Sequence, residues 1–372
     1  MRTLLLCFVL TSLSAGARAA GPLNTNMRAI GDTLRGLLSL ALSDAAFGDK
    51  TKAGEIQTRL VLLEKLFVQN STHFDQRSGD WRLNHRTMVG LVSQARRASA
   101  TGNKDVARQM IKSIPGLCLS CHGQDQIQAK VFDGQLPDTV GPLERAEFAL
   151  ATRRPLEAEK YLRAFLAKKN LPVDNRETIA ALRGELQVQV NLRRSPEQIR
   201  QWLKQRSEMF KADPAIASLL QGWLTGVAKS ERAFSKPLKD VSEVPRALLR
   251  GVGTEDPVLG LIADAEEEIV YLHLREELHR LLATASAGPA QGELYYWLSF
   301  SERAVGYSFF YSLADGYLKA CMDEWSLLPI AKRCYREYQS FVEFTFTGSS
   351  GTDIPADVRA ELESYRRKVG AK

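Results

Sequence analysis

The chain is poor in the residues from which most reactive sites are built. Its 372 residues include five cysteines and five histidines, and none of the histidines falls with a nucleophile and an orienting acid in a recognisable catalytic set, so hydrolytic chemistry has no support. Long apolar runs are scarce too. The longest, Leu4 to Leu13, covers about ten residues where a membrane span needs roughly twenty, so no membrane span is expected. The net charge of +7 is modest and not gathered into a basic tract, which argues against nucleic acid and leaves a mild bias toward acidic partners. Strand-like alternation is nearly missing. Apolar residues recur instead at helical spacing, and the fold class expected is all-α.

Against that background one pentapeptide stands out: Cys118, Leu119, Ser120, Cys121 and His122 spell Cys-x-x-Cys-His, the signature of covalent c-type haem attachment. Two thiols add across the vinyl groups of one haem edge, and the adjacent imidazole ligates the iron. A thioredoxin-like redox pair would want a βαβ setting, and a zinc site a second ligand pair; neither is evident. The cofactor expected is one covalent haem c, held by Cys118 and Cys121, with His122 as proximal iron ligand. A single motif implies a single covalent haem.

The start of the chain agrees with this. Arg2, the apolar run Leu4 to Leu13 and the small-residue site Ala17-Arg18-Ala19 read as a signal peptide over residues 1–19. Cys7 lies inside the apolar run, not at its end, which speaks against a lipid anchor. Export and covalent haem together point to the periplasm. Cys321 and Cys334 are then expected to pair as a disulfide; the alternative is two buried thiols acting as small apolar residues.

From Asn24 to His122 four helical patterns follow one another. Met27, Ile30, Leu34, Leu37 and Ala41 mark the first face, and Ile56, Leu60, Leu63 and Phe67 the second. Met88, Leu91, Ala95 and Ala98 mark the third, and Val106, Met110, Ile114 and Leu117 the fourth. Such spacing predicts an up-and-down four-helix bundle. Residues 24–123 resemble the cytochrome c′ family, on Met27-Arg28-Ala29-Ile30-Gly31 in the first helix, Ala95 to Asn103, and the motif Cys118 to His122. The resemblance implies a bundle with haem at the end of its fourth helix, and in some relatives a dimer through the first two helices. In the methionine-ligated relatives an early methionine is the sixth iron ligand, a place that Met27 takes here; otherwise Met27 fills the core, and the iron is five-coordinate beneath Ile30 and Leu34, open to carbon monoxide or nitric oxide. The chain departs from the family at Pro115-Gly116, which either kinks the fourth helix or starts a fresh turn. Gly123 to Gln126 also replace the basic residue often found after the histidine.

The remaining candidates are weaker. His85 reads as part of a solvated helix start, His73 as surface, and Met88 and Met110 as core; Trp81 packs over the haem or caps the bundle. His273 and His279 lie six apart on one helix and do not share its face. Residues 20–133 are taken as the haem domain, 134–142 as a linker and 143–372 as a second domain of short paired helices resembling tetratricopeptide-like repeats without a strict period of about 34 residues. Its segment from Glu293 to Phe346 is rich in aromatics, read as core filling or as a groove for a partner. A polar helix from Asp353 to Lys368 caps the stack. The function expected is electron transfer to a redox partner protein, with no enzymatic activity. The alternatives are a sensor or carrier of a diatomic gas, and a helical scaffold with an accessory haem.

Overall fold

The structure is a computed structural model and describes residues 22–75, 79–122, 136, 140–152, 154–168, 175–192, 194–255, 263–285, 288–305, 314–349 and 351–371. The signal-peptide reading, Cys7, and the aromatics Tyr307, Phe309, Phe310 and Tyr311 lie outside them. The described fold is all-α, with one short antiparallel pairing of Thr347–Gly348 and Gly351–Thr352.

The first region contains α1 (Pro22–Ala41), α2 (Asp44–Gly48), α3 (Ala53–Gln69), α4 (Ser71–Asp75), α5 (Gly79–Ala100) and α6 (Lys104–His122). The four long helices pack in a closed circuit, α1 on α3, α3 on α5, α5 on α6 and α6 back on α1. Their shared core is largely aliphatic: Ile30, Leu34, Leu37, Leu60, Leu63, Leu91, Ala95, Ile111 and Ile114 are all buried. Gly102 takes a positive φ of 79°, the left-handed step that ends α5 and lets α6 start. On α6 the buried stripe runs Ala107, Ile111, Ile114 and Leu117, while Val106 is 38 % exposed. The inward face is thus set one residue later at its start than the apolar pattern suggested. Pro115 is buried within α6, and the helix runs through it to His122. The proline has no N–H to offer the Ile111 carbonyl, yet no fresh turn begins there.

The second region is a chain of packed helices: α7 (Pro142–Ala151), α8 (Pro155–Leu166), α9 (Asn175–Asn191), α10 (Pro196–Met209), α11 (Pro214–Ala233), α12 (Val244–Gly251), α13 (Ala265–Thr284), α14 (Pro289–Val305), α15 (Ala314–Glu324), α16 (Pro329–Thr345) and α17 (Ala356–Lys368). Proline occupies the first turn of seven of them, α7, α8, α10, α11, α12, α14 and α16, where its missing N–H costs no helical bond. Asp213, Ser195 and Asp264 cap α11, α10 and α13 through their side-chain oxygens. Successive helices pack on one another, α7 on α8, α8 on α9, α10 on α11, α11 on α13, then α13 through α16 in turn. Gly226 brings α11 against the backbone of α13, for a Cβ there would lie 2.4 Å from the Glu266 carbonyl oxygen.

Both ends of this array return to the first region. At one end α7 meets α6; at the other α15 meets α5. Core side chains are exchanged at the two junctions. Phe148 of α7 and Val140 belong to the aliphatic core of α1–α6, with Leu136 packed against it, and Leu83 of α5 belongs to the core of the array.

Candidate functional site

The site predicted from the sequence sits on the last turn of α6. Residues three and four apart on a helix share a face, so Cys118 stands on one side of the helix with the positions of Cys121 and His122. The side chains of Cys121 and His122 lie outside the described residues. Cys118 is half-buried against the aliphatic core, and its Sγ lies 3.9 Å from the Met88 Sδ on α5. Met27 on α1 and Met110 on α6 pack against the same core. Three helices thus bring methionines to one apolar interior, and α5 and α6 set two sulfurs together beside the motif. Ile30 and Leu34, the residues below which a five-coordinate iron would lie, are almost wholly buried.

His85 differs from its sequence reading. It is 2 % exposed, because α4 folds back over the start of α5 and covers it. Its Nε2 lies 2.9 Å from the Phe67 carbonyl; a carbonyl only accepts, so that nitrogen carries the proton and caps the end of α3. Its ring stacks on Phe74 at 4.5 Å, and Phe74 stacks in turn on Trp81 at 6.0 Å. Trp81 thus joins an aromatic stack with Phe74 and His85 at the end of the region. His73 is half-buried, its ring edge-on to Phe74. The helix α4, invisible as a periodic pattern in only five residues, is what turns a polar-looking His into an interior one.

In the array the sequence reading missed a recurrent device. Glu185 of α9 is 1 % exposed and accepts from Arg206 Nε and Nη2 at 2.7 and 2.5 Å and from Trp202 Nε1 at 3.1 Å. Glu268 of α13 accepts from Trp223 Nε1 at 3.0 Å and pairs with Arg183 Nε at 3.1 Å. Burial pushes the Glu268 carboxyl up, opposed by Arg183 and the indole N–H. Each carboxylate is clamped by one indole and one guanidinium. The available signal was a glutamate on the apolar side of a helix, as in Leu182-x-x-Glu185-Leu186. His273 lies 2.7 Å from the Ser230 Oγ, and burial lowers its pKa; this Ser–His contact is packed between α11 and α13 beside Phe234. His279 lies on the same helix, α13.

Cys321 and Cys334 are bonded, with S–S 2.13 Å and Cα atoms 6.4 Å apart, joining α15 to α16. The described aromatics between Glu293 and Phe346 are mostly interior: Tyr295, Tyr296, Trp297, Phe300, Tyr317, Tyr335 and Tyr338 are buried. Only Phe344 among the large ones is mainly exposed among the described residues. No protein-family model, curated protein or solved structure matches this chain.

Proposed function

We propose that the protein is a periplasmic monohaem c-type cytochrome that transfers electrons, with its helical array as the partner-docking part. One observation carries the reading beyond the motif itself: Cys118 faces a sulfur-lined, aliphatic interior, with Met88 Sδ at 3.9 Å and Met27 packed on the same core. Such a lining suits a flat, largely apolar macrocycle. The donor set also fits, with two thiols three apart and an imidazole next to the second on one helix.

In this reading Cys118 and Cys121 would hold the haem through thioether bonds, each thiol adding across one vinyl group with its proton going to the neighbouring vinyl carbon. His122 would be the proximal iron ligand, and Met27 on α1 would be the candidate for the sixth position. When bound, the haem supplies a one-electron iron couple. The chain's own contribution would be an imidazole ligand, a thioether that favours the reduced metal, and exclusion of water by the aliphatic core.

The buried pair Ile30 and Leu34 favours a second reading, a five-coordinate haem that binds a diatomic gas. The test is the absorption spectrum of the reduced, full-length protein with and without carbon monoxide, for the unaltered chain and for Met27→Ala. A low-spin spectrum that ignores carbon monoxide until Met27 is removed supports electron transfer; an immediate response in the unaltered protein supports gas binding. A haem-sized mass gain that survives denaturation and vanishes in Cys118→Ala/Cys121→Ala tests attachment, and its absence from the unaltered protein would sink both readings.

A further inference from the structure

The two junctions between α1–α6 and the array are built unequally. At the α6–α7 junction, Phe148 and Val140 are part of the aliphatic core and Leu136 packs on it, and Lys112 of α6 pairs with Glu147 of α7, both largely buried. At the α5–α15 junction one apolar side chain, Leu83, crosses over. Gly316 permits the approach there: a Cβ on it would stand 3.3 Å from Leu83 Cδ1 and Thr87 Oγ1.

The other ties across that junction among the described residues are mainly charged. Helix α15 ends on Asp323 and Glu324 with no basic residue in its last turn. Carboxylates at a helix C-terminus oppose the helix dipole, so the local sequence is electrostatically unfavourable. The opposing charges come from other elements: Arg82 of α5 reaches Glu324 at 3.3 Å, Arg86 of α5 reaches Asp323 at 3.6 Å, and Lys368 of α17 reaches Asp323 at 2.5 Å. With Gly288 and Trp325 these five side chains wall a cleft of about 630 Å³. All three pairs are partly exposed, the setting in which ion pairs are individually weak and screened by salt. The Cys321–Cys334 bond ties α15 to α16 just before the acidic pair, so the last turn of α15 is presented as a fixed piece.

We infer that the α5–α15 contact is an electrostatic latch: the far end of the array releases from α5 and recloses on it, while the α6–α7 junction holds. Lys368 relieves part of the conflict with the helix dipole from within the array, and the rest is relieved across the interface with α5; a conflict relieved in that way marks a contact made to be switched rather than one built for maximal stability. Release would open the cleft between Arg82, Arg86 and Asp323, Glu324. It would also remove one support of α5, the helix that carries Met88 against Cys118 and that α3 and α6 continue to hold, a consequence for the haem that rests on the reading above.

Hydrogen exchange read by peptide mass on the full-length protein tests the latch, and it needs no bound haem, so failure of the haem reading leaves it interpretable. At about 0.5 M salt, where the screening length falls to a few ångströms, peptides spanning 81–90 and 314–328 should exchange severalfold faster than at low salt. Those spanning 107–117 and 142–151 should not change. Arg82→Glu/Arg86→Glu should give the fast exchange already at low salt, and adding Asp323→Arg/Glu324→Arg together with Lys368→Glu, which reverses every charge of the cluster, should restore protection. Gly316→Leu, a steric wedge without charge, should hold the contact open at any salt. Overturning results are protection at 81–90 that ignores both salt and charge reversal, or a loss that spreads equally to α1 and α3, which would make the contact an integral part of one cooperative fold.

Discussion

Between α1 and α6 the interior is mostly leucine, isoleucine, alanine, phenylalanine and methionine, with no buried carboxylate among the described residues. The array buries Glu159, Glu185 and Glu268; an indole and a guanidinium hold each of the last two, and Arg163, Arg194 and the Gln189 amide hold Glu159. The two interiors solve different problems. An aliphatic interior with flexible thioethers has few directional demands and can close around a flat ligand. An array of short helices can slip in register, and a carboxylate clamped by a Trp and an Arg from neighbouring helices permits one register only, because any other leaves a buried charge unpaired. The first region's interior makes few directional demands, and the second's fixes its own form.

The sharpest way to break that contrast is Glu185→Ala. It leaves the Arg206 guanidinium and the Trp202 N–H facing an apolar gap. Removing one partner of a buried pair costs about 3–5 kcal/mol. A urea titration should show the loss in the array's unfolding. If the midpoint moves only slightly, the clamps are incidental and the array is held by apolar packing alone.

Next in size is Phe148→Ala, which tests whether the two interiors are separate at all. Phe148 is 6 % exposed and sits in the core of α1–α6 although it belongs to α7. Emptying such a site costs about 3–5 kcal/mol at most and less where neighbours collapse into it. The destabilisation should appear as faster exchange in α1 and α3. Loss confined to the array would restore the picture of a bundle with an appended platform. For the same reason, cutting the chain at residue 142 is no clean deletion: it strips Phe148 from a core it helps to fill.

How much of this was legible follows from the range over which each signal acts. The stripes of α1, α3 and α5 could be read directly, since Ile30, Leu34, Leu60, Leu63, Leu91 and Ala95 repeat at helical spacing and are all buried. The Cys-x-x-Cys-His spacing could be read too, because its chemistry is local. His85 could not. Its neighbours in sequence, Asn84 and Arg86, are polar, and its burial depends on Phe67 and Phe74 arriving from other helices. Nor could the latch, since Asp323 and Glu324 gain their counter-ions from positions more than two hundred residues earlier and about forty later. Residues 134–142 looked like a connection by their prolines and glycines, but Val140 is buried in the core, a fact set by α6 and α7 packing together.

The smallest expected effect concerns a carboxylate without a full clamp. Glu302 on α14 has Arg275 at 3.8 Å, too far for a close pair. Burial raises its pKa above the ordinary carboxylate value of 4.5; Arg275 opposes that and Glu276 adds to it. A carboxyl whose pKa is higher folded than unfolded binds more protons in the folded state, so its stabilising contribution is full below the unfolded value and is lost as pH rises through the folded one. Urea midpoints measured from about pH 4.5 upward should therefore fall more steeply with pH in the unaltered protein than in Glu302→Gln, which cannot ionise. Glu268 and Glu147 are raised by burial as well, so both proteins keep some of the slope and the difference between them isolates Glu302. Equal slopes would mean that Arg275 moves in to complete the pair, and Glu302 would then join Glu185 and Glu268 as a third clamp.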